Sequence, residues 1–401
     1  MTDPRRVAVG TLVLVLLAGA LVWRLQTEGT PPLVMQRTLA AYVRTPGSAP
    51  VLAWPREGQA AVEVEGVGSF GVSGESRPVP IASVAKVMTA YLTLREHPLA
   101  VGEQGFTMTI TPTEVAERGQ RVALGESTVR VRAGERLTER QALQALLLPS
   151  ANNIAALLAI HDAGGPAAFV ARMNSTARSL GMTSTNYTDP SGFDQSTVST
   201  AADQLKLARV AMRIPTFAEI VDEPAAVLPV AGRVANYNGL LGTEGYVGVK
   251  TGSDSAAGGC LVFAKRVSLD GKRLTVLGVV LGQQQGALVE AALASAQRLG
   301  DSAAAALRVE TVLATGTGVL RASNVDGQRT TGAIAAPLRE IGWGGLTLAV
   351  RVRMRMAVKS LSASERMATV SVEGASAATT GALAVRALSG PSLGWRLRHL
   401  L

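Results

Sequence analysis

The chain is poor in the residues that build disulfides and metal centres. Its 401 residues include one cysteine, Cys260, and three histidines, His97, His161 and His399. A single thiol excludes an internal disulfide and any multi-cysteine metal site. The histidines are far apart in the sequence, so we find no zinc set and no histidine partner for a serine triad. We therefore expect no metal and no cofactor, and any serine nucleophile requires another base.

Charged residues are absent from one run near the N-terminus. Residues 7–23 carry no charge, follow Arg5 and Arg6 and precede Arg24. As a helix they span about 25 Å, near the lower limit for crossing a bilayer. The basic pair predicts a single-pass anchor with a cytoplasmic N-terminus and the rest of the chain outside the cell membrane. A cleaved signal peptide ending near residues 18–20, with secretion, is the alternative.

Aromatic residues make up only 4% of the chain, while 47% of it is hydrophobic. The cores must therefore consist mainly of alanine, valine and leucine. Few aromatics argue against a surface that stacks nucleic-acid bases, and no glycine-rich phosphate loop occurs between a strand and a helix. The net charge of +9 suits anionic wall polymers or lipid headgroups outside the cytoplasm. We expect no nucleic-acid partner.

Hydrophobic periodicity predicts two groups of strands on either side of a helical block. A capping box at Thr138 and Gln141 predicts the start of a helix, and Asp270-Gly271 predicts a hairpin turn. The predicted strands are 60–65, 70–72, 227–230, 246–250, 260–264 and 274–281; residues 106–132 are predicted as strand and loop, and 139–221 and 284–305 mainly as helix. This order fits a sheet covered by helices plus a helical subdomain. Short alternating segments beyond residue 308 predict a small all-β domain.

Ser83 and Lys86 stand three residues apart where a helix is predicted to begin. On a helix this spacing places the two Cβ atoms about 5–6 Å apart, so the hydroxyl can meet the amine. A lysine becomes a base for a serine only when burial or a neighbouring cation lowers its pKa. A helix-capping serine followed by an exposed lysine produces the same pattern.

Two later segments place polar residues at the ends of predicted elements. Ser150 and Asn152 lie at a predicted helix–helix junction created by Pro149, where helix capping is the alternative role. Residues 246–253 predict a strand that carries Lys250, Thr251, Gly252 and Ser253. A solvated lysine and a glycine bulge are the alternative for that strand.

These three motifs, in this order, form the pattern described for penicillin-binding proteins and class A β-lactamases. The chain resembles the serine-type D-alanyl-D-alanine carboxypeptidases, the low-molecular-mass penicillin-binding proteins, over roughly residues 50 to 300. Further segments that fit this family are 169–174, 177, 180–182, 185–193, 200–203 and 257–261. The resemblance implies an α+β fold of the β-lactamase/transpeptidase type. We expect an anchor or signal at 1–26, a linker at 27–50, a penicillin-binding catalytic domain at 51–305 and a C-terminal β-domain at 306–401.

The resemblance also implies the role of each motif residue. Ser83 would attack the bond between the terminal D-alanines of a peptidoglycan stem peptide, with Lys86 as base and Ser150 as proton relay. The substrate-binding residues would be Asn152, which holds Lys86 and a substrate amide, together with Lys250, Thr251, Gly252 and Ser253. β-Lactams would acylate the same serine.

Asp254 departs from the family pattern, which often has threonine there, and this leaves the substrate preference open. A DD-endopeptidase, a β-lactamase and a catalytically degenerate wall-binding protein remain alternatives. A class A β-lactamase has a deacylating glutamate between the second and third motifs, which residues 186–193 lack. Glu219 and Glu223 are conceivable substitutes.

Overall fold

The structure is a computed structural model that describes residues 4–27 and 29–399. In these residues the helices are α1 (Pro4–Thr27), α2 (Lys86–Glu96), α3 (Pro112–Ala123), α4 (Glu139–Leu147), α5 (Asn152–Ala163), α6 (Pro166–Ser179), α7 (Ala201–Ala211), α8 (Pro215–Asp222), α9 (Leu288–Ala305) and α10 (Leu393–Arg398). The strands up to residue 283 are β1 (Val34–Arg37), β2 (Tyr42–Arg44), β3 (Gln59–Val64), β4 (Gly68–Ser73), β5 (Val79–Pro80), β6 (Thr107–Thr109), β7 (Arg136–Thr138), β8 (Val198–Ser199), β9 (Ala225–Leu228), β10 (Gly232–Ala235), β11 (Tyr246–Asp254), β12 (Gly258–Leu269) and β13 (Lys272–Gln283). The later strands are β14 (Arg308–Leu313), β15 (Gly318–Ser323), β16 (Arg329–Ile334), β17 (Leu338–Gly342), β18 (Thr347–Met354), β19 (Arg366–Val372) and β20 (Thr379–Ala384).

The described chain divides into two compact units. Residues 50–307 form one unit, and the chain up to Ala49 joins the chain from Arg308 onward in the other. The first unit contains all three motifs. Its central sheet has five antiparallel strands in the order β11-β12-β13-β3-β4.

The hairpin between β12 and β13 has the predicted two-residue turn. Leu269 pairs with Lys272, and Asp270 and Gly271 both have positive φ, 50° and 69°. Two consecutive positive φ values match the twist of the flanking strands, and aspartate followed by glycine adopts them readily. The hairpin prediction is confirmed.

The central sheet is covered on both faces. Val262 and Ala264 of β12 pack into the core of the helical block. Phe263, on the opposite face, packs against Gly300 of α9, where a side chain would clash with its ring. Because successive strand residues point to opposite faces, a strand buried on both sides is continuously apolar. This explains the uninterrupted apolar run of β12.

The helical block begins as predicted. The Thr138 hydroxyl accepts a hydrogen bond from the Gln141 backbone amide, and the Gln141 side chain accepts one from Thr138 N, which completes the capping box of α4. Helix α5 ends at Gly164, which is left-handed with φ 74°. Helices α2, α4 and α5 pack against one another.

Residues 106–132 contain a helix that the sequence prediction missed. Helix α3 follows a capping box formed by Thr111 and Glu114, with Pro112 as its first residue. None of its residues is fully buried, and the alternation of threonine, valine and charged residues in this stretch favoured strand and loop in the sequence prediction. The end signals were present in the sequence and are the stronger indicator here.

The second unit is built around a seven-stranded sheet in the order β1-β15-β16-β20-β19-β18-β2. Strand β1 pairs with β15, and β2 pairs with β18. Residues 27–50 were predicted as a linker, so these two strands correct that prediction. Proline-rich composition gives no sign that a short segment will pair with strands about 300 residues away.

Helix α1 contains an apolar portion, Val9–Arg24. Within residues 4–27 and 29–399, no single helix has both the length and the apolar character needed to cross a membrane. Helices α5 and α6 taken together, bent by 84° at their junction, reach that length and composition.

Candidate active site

Ser83 lies in a 3-10 turn, Ala82–Ala85, directly before α2, and not in the first α-helical turn. Ala82 has a φ of 44°, a left-handed conformation that is strained for alanine. Gly192 packs directly on this turn, since a Cβ there would lie 1.8 Å from Ala82 O. The turn that carries Ser83 is therefore braced by the segment around Gly192.

Asp189 organises that segment. Its carboxylate accepts hydrogen bonds from the backbone amides of Ser191 (3.0 Å), Gly192 (3.0 Å) and Phe193 (3.1 Å). The hydroxyl of Thr197 donates a further bond of 2.8 Å. The resulting tight turn directs backbone carbonyls of residues 190 and 191 toward α2.

Lys86, the first residue of α2, is completely buried. Its Nζ lies 2.7 Å from Ser83 Oγ and donates a hydrogen bond of 2.9 Å to Ser191 O. In the described part of the chain, no carboxylate lies within ion-pair distance of this amine. Burial, followed by repulsion from Lys250, holds the pKa of Lys86 well below its usual value. Attraction to Asp189 opposes that shift without reversing it.

The second motif presents two buried oxygen atoms with no hydrogen-bond partner among the described residues, Ser150 Oγ and Asn152 Oδ1. Ser150 has a φ of 64° and stands just before α5, which begins at Asn152. A buried polar atom without a partner costs roughly 1–3 kcal/mol. Neither residue acts as an ordinary helix cap, because α5 has no side-chain hydrogen bond at its N-cap.

Glu126 was not identified from the sequence. Asn152 Nδ2 donates a 2.8 Å hydrogen bond to Glu126 Oε2, and Arg121 Nη1 lies 2.9 Å from the same oxygen. The structure shows no hydrogen bond between Asn152 and Lys86: Asn152 Nδ2 donates to Glu126, and Asn152 Oδ1 has no partner among the described residues. Glu126 also interacts electrostatically with Lys86. It lies in a loop between α3 and β7, far from any motif in the sequence, so no local pattern marked it.

The third motif lies along β11, whose residues 246–252 are all buried. Lys250 is buried, and its Nζ donates a 2.9 Å hydrogen bond to Thr251 O. Burial lowers the pKa of Lys250 to about 7. A Cβ on Gly252 would lie 2.9 Å from Ser83 N, so the strand and the turn that carries Ser83 are in close contact. Ser253 follows at the exposed end of the strand.

Asp254 ends β11 with its carboxylate engaged in the turn to β12. Its Oδ1 accepts hydrogen bonds from Ala256 N (2.8 Å) and Ala257 N (2.7 Å). An aspartate that bonds the amides two and three residues ahead is a common turn residue. The local turn therefore explains why aspartate stands at a position where the family often has threonine.

The fold thus brings five of the predicted residues into one region: Ser83, Lys86, Asn152, Lys250 and Gly252. Ser83 touches Lys86, Gly252 abuts the Ser83 turn, and Lys250 is close enough to Lys86 to lower its pKa. Asn152 is connected to these residues through Glu126, which accepts its hydrogen bond and interacts electrostatically with Lys86. A hydroxyl beside a buried amine that favours its neutral form can be deprotonated for nucleophilic attack.

Comparison with known proteins agrees with this geometry. The family described as D-alanyl-D-alanine carboxypeptidase matches residues 73–285. A D-alanyl-D-alanine carboxypeptidase of Mycobacterium tuberculosis is 34% identical over 243 residues, which are 59% of this chain and 78% of that protein. A D-alanyl-D-alanine endopeptidase of Pseudomonas aeruginosa is 33% identical over 208 residues, which are 50% of this chain and 63% of that protein.

A solved structure shows the same likeness in three dimensions. The crystal structure of the Streptomyces K15 DD-transpeptidase superposes with a TM-score of 0.53 at 27% identity. The match covers 65% of this chain and 98% of that chain. The predicted transpeptidase-like fold is confirmed, and so is the predicted resemblance to serine-type carboxypeptidases. The chain belongs to the D-alanyl-D-alanine carboxypeptidase family of serine peptidases.

Proposed function

We propose that this protein removes the terminal D-alanine from peptidoglycan stem peptides through an acyl-enzyme on Ser83. The observation that carries the proposal is the 2.7 Å contact between Ser83 Oγ and the buried Nζ of Lys86. A structural lysine at this depth would be expected to have a carboxylate partner. Lys86 has none within ion-pair distance in residues 4–27 and 29–399. An amine that favours its neutral form is suited to take the hydroxyl proton.

In acylation, Ser83 Oγ attacks the carbonyl carbon between the two D-alanines while its proton passes to Lys86 Nζ. The C–N bond then breaks, and the leaving amine receives a proton through the Ser150 hydroxyl, so free D-alanine departs. The unpartnered Ser150 Oγ is available for this relay. Asn152 Oδ1, also unpartnered, is positioned by the bond from its own amide to Glu126 and accepts a hydrogen bond from a substrate amide.

The third motif binds the substrate's C-terminal end. Lys250 is a buried amine with no carboxylate in reach among the described residues, so a substrate carboxylate supplies the missing counter-charge. Thr251 adds a hydroxyl at the same position, and Gly252 leaves room for the substrate backbone. The backbone N–H groups of Ser83 and Ser253 bind the developing oxyanion.

Water then hydrolyses the ester and releases the shortened peptide. β-Lactams, which resemble the terminal dipeptide, acylate Ser83 and are hydrolysed slowly. Fast hydrolysis would indicate a β-lactamase, for which Glu219 and Glu223 were the candidate deacylating residues. Both carboxylates are paired with Arg140, which favours a structural role for them.

A DD-endopeptidase is the second candidate function. The similarity to the endopeptidase of Pseudomonas aeruginosa favours it specifically. The two activities share the acyl-enzyme chemistry and differ in whether the leaving amine belongs to free D-alanine or to a cross-linked peptide. Digestion of purified muropeptides separates them: release of D-alanine from pentapeptide monomers indicates a carboxypeptidase, and conversion of cross-linked dimers to monomers indicates an endopeptidase.

We also propose that residues 7–23 anchor the protein in the cell membrane with the catalytic unit outside the cytoplasm. The uncharged run and the preceding arginines support this, with secretion after signal cleavage as the alternative. Alkaline carbonate extraction of membranes, together with N-terminal sequencing, distinguishes the two. Retention with an intact N-terminus is expected for an anchor, and a soluble, shortened chain would contradict it.

The decisive experiment is intact-protein mass spectrometry after incubation with a penicillin. We expect one covalent adduct on the wild-type chain, with a lifetime much longer than its formation time. Ser83→Ala should form no adduct while retaining the wild-type circular dichroism spectrum. Ser175→Ala, which removes an exposed serine of α6, serves as the matched control and should label normally.

An adduct that persists in Ser83→Ala would remove the nucleophile assignment. Absence of any adduct on the wild-type chain, together with no D-alanine release, would favour the wall-binding alternative. Lys86→Ala should also fail to acylate, because no base remains for the hydroxyl. Normal acylation of that variant would show that another group takes the proton.

A further inference from the structure

His97, His161 and Asp162 form a cluster outside the active site. His161 Nδ1 lies 2.8 Å from Asp162 Oδ1, and His97 Nε2 lies 3.4 Å from the same oxygen. One ligand atom from each of the three residues lies within 4.8 Å of the others. The cluster contains two of the three histidines in the chain, and no sequence pattern associates them.

Helix endings bring these residues together. His97 ends α2 because Pro98 follows, and its backbone amide still bonds Thr93 O. His161 and Asp162 lie in the last turn of α5, which stops at Gly164. Because α2 and α5 pack against each other, their C-terminal ends converge and present both imidazoles to one carboxylate.

The surroundings orient the three side chains. Thr93 Oγ1 donates a 2.7 Å hydrogen bond to Asp162 Oδ2, which leaves Oδ1 facing the imidazoles. The Phe106 ring stacks on His161 with centroids 4.0 Å apart and meets His97 edge-on at 4.8 Å. The Asp162 side chain is only 2% exposed, whereas the His97 and His161 side chains are 34% and 31% exposed. Solvent ions therefore reach a site whose carboxylate is already fixed.

The distance from each imidazole to Asp162 Oδ1 is close to that between two metal ligands, whereas the two imidazole nitrogens lie up to 4.8 Å apart and move closer together to bind one ion. Two atoms bound to one Zn²⁺ at about 2.0–2.1 Å stand roughly 2.9 to 3.3 Å apart for bond angles between 90° and the tetrahedral value. The two distances to Asp162 Oδ1 lie close to the two ends of this range. Two imidazoles and a carboxylate are borderline donors suited to zinc. A hydrogen-bonded partner on the other carboxylate oxygen is the usual support for a metal-ligating aspartate.

A further carboxyl group, that of Glu139, interacts electrostatically with Asp162. Glu139 is buried, and its Oε1 has no hydrogen-bond partner among the described residues. Burial and, to a smaller extent, repulsion from Asp162 raise the pKa of Glu139 to about 7. A cation held at Asp162 relieves that repulsion.

We propose that His97, His161 and Asp162 bind one Zn²⁺ ion, with water completing its coordination. The ion joins the C-terminal end of α2 to that of α5. The opposite ends of these helices carry Lys86 and Asn152. Since α2 has 11 residues, the ion lies roughly 16 Å from the catalytic end. It therefore clamps the two helices and takes no part in the reaction.

The test is zinc binding by the full chain. Isothermal titration calorimetry with ZnCl₂ on chelator-treated protein should show one ion per chain, and native mass spectrometry should show the corresponding mass. Thermal unfolding should shift to higher temperature as zinc is added, because the ion binds the folded state. An absence of binding would overturn the proposal and leave the cluster as a hydrogen-bonded pair of histidines around an aspartate.

Variants locate the site. His161→Gln and Asp162→Asn should abolish the zinc-dependent shift, and Thr93→Val should weaken affinity about 10- to 100-fold through loss of the supporting hydrogen bond. His399→Ala removes the third histidine, which lies in the other unit beside Trp395, and should bind zinc normally. Binding that survives His161→Gln and Asp162→Asn, or that is lost in His399→Ala, would contradict the assignment. Cooperative unfolding without zinc confirms that each variant is folded.

Discussion

Lys86 and Lys250 both place their amines in the protein interior. Neither has a carboxylate in ion-pair distance within the described residues; each donates instead to a backbone carbonyl. Burial is the largest cause of the lowered pKa in both. In the proposed mechanism this desolvation has two uses, because it makes Lys86 a base for Ser83 and leaves Lys250 in need of a substrate carboxylate.

The buried Lys250 predicts a pH-dependent stability. Its pKa is about 7 in the folded protein and 10.5 in an unfolded chain. Between these pH values the unfolded state binds more protons than the folded state, so Lys250 makes the free energy of unfolding rise with pH. Below about pH 7 the lysine is charged in both states, and the full cost of burying its charge destabilises the fold. Lys250→Met should therefore be more stable than wild type near neutral and lower pH. The difference should shrink as the pH rises toward 10.5.

Urea unfolding of both chains at several pH values measures this difference. Lys272→Met, at the exposed first residue of β13 in the same sheet, is the matched control and should give a stability difference that does not vary with pH in this way. A stability difference for Lys250→Met that stays constant with pH would show that burial does not disfavour the charged form.

At the scale of elements, the site depends on the close approach of β11 to the 3-10 turn. Gly252 lets the two backbones meet, because a Cβ would lie 2.9 Å from Ser83 N and 3.0 Å from Val84 N. Because both neighbouring atoms belong to the backbone, no flexible side chain can move aside to make room for a methyl group. Glycine is thus required in the third motif because any side chain would clash where the strand packs against the turn.

Gly252→Ala should move the strand away from Ser83. We expect the rate of penicillin acylation to fall about 100-fold, as misplacement of reacting groups by an ångström does. The free energy of unfolding should fall by about 1–3 kcal/mol from overpacking. Stopped-flow acylation and urea unfolding measure the two effects.

Gly119→Ala is the control for this substitution. Gly119 lies in α3, where an added methyl group would have no heavy atom within 4 Å. Alanine there should stabilise the fold by about 0.5–1 kcal/mol and leave acylation unchanged. Unimpaired acylation in Gly252→Ala would mean that the turn and strand separate without cost.

At the scale of the whole molecule, the two units consist of three stretches of chain: residues 50–307 form one unit, and the stretches before and after them form the other. The unit of residues 50–307 has its own sheet and its own buried core. The other needs residues from both ends of the chain, since β1 pairs with β15 and β2 pairs with β18, both beyond residue 308. Removing the C-terminal stretch therefore leaves these two N-terminal strands without their partners.

A chain of residues 50–307 should fold and be acylated by a fluorescent penicillin at the wild-type rate. A chain that ends at residue 307 but keeps residues 29–49 should be acylated as well, yet be cleaved by proteases between residues 34 and 44. Gel fluorescence and limited proteolysis measure both. Failure of the 50–307 chain to label, when the full chain labels, would show that the second unit is required for the site.

Several features followed from local sequence alone. The Thr138–Gln141 capping box and the Asp270-Gly271 turn formed as predicted, because each depends on dihedral preferences and hydrogen bonds within a few residues. The three motifs likewise indicated the order and type of the elements that carry them. The pairing of Ser83 with Lys86 also lies within one turn.

Other features required the tertiary structure. Glu126 holds Asn152 across 26 residues, β1 pairs with a strand nearly 300 residues away, and His97 meets Asp162 across 65. Contacts of this kind depend on how helices and strands pack, and no short pattern encodes them. Local preferences therefore determined which chemical groups the chain offers. Packing over long sequence distances decided which of those groups meet, and how far burial shifts their charge.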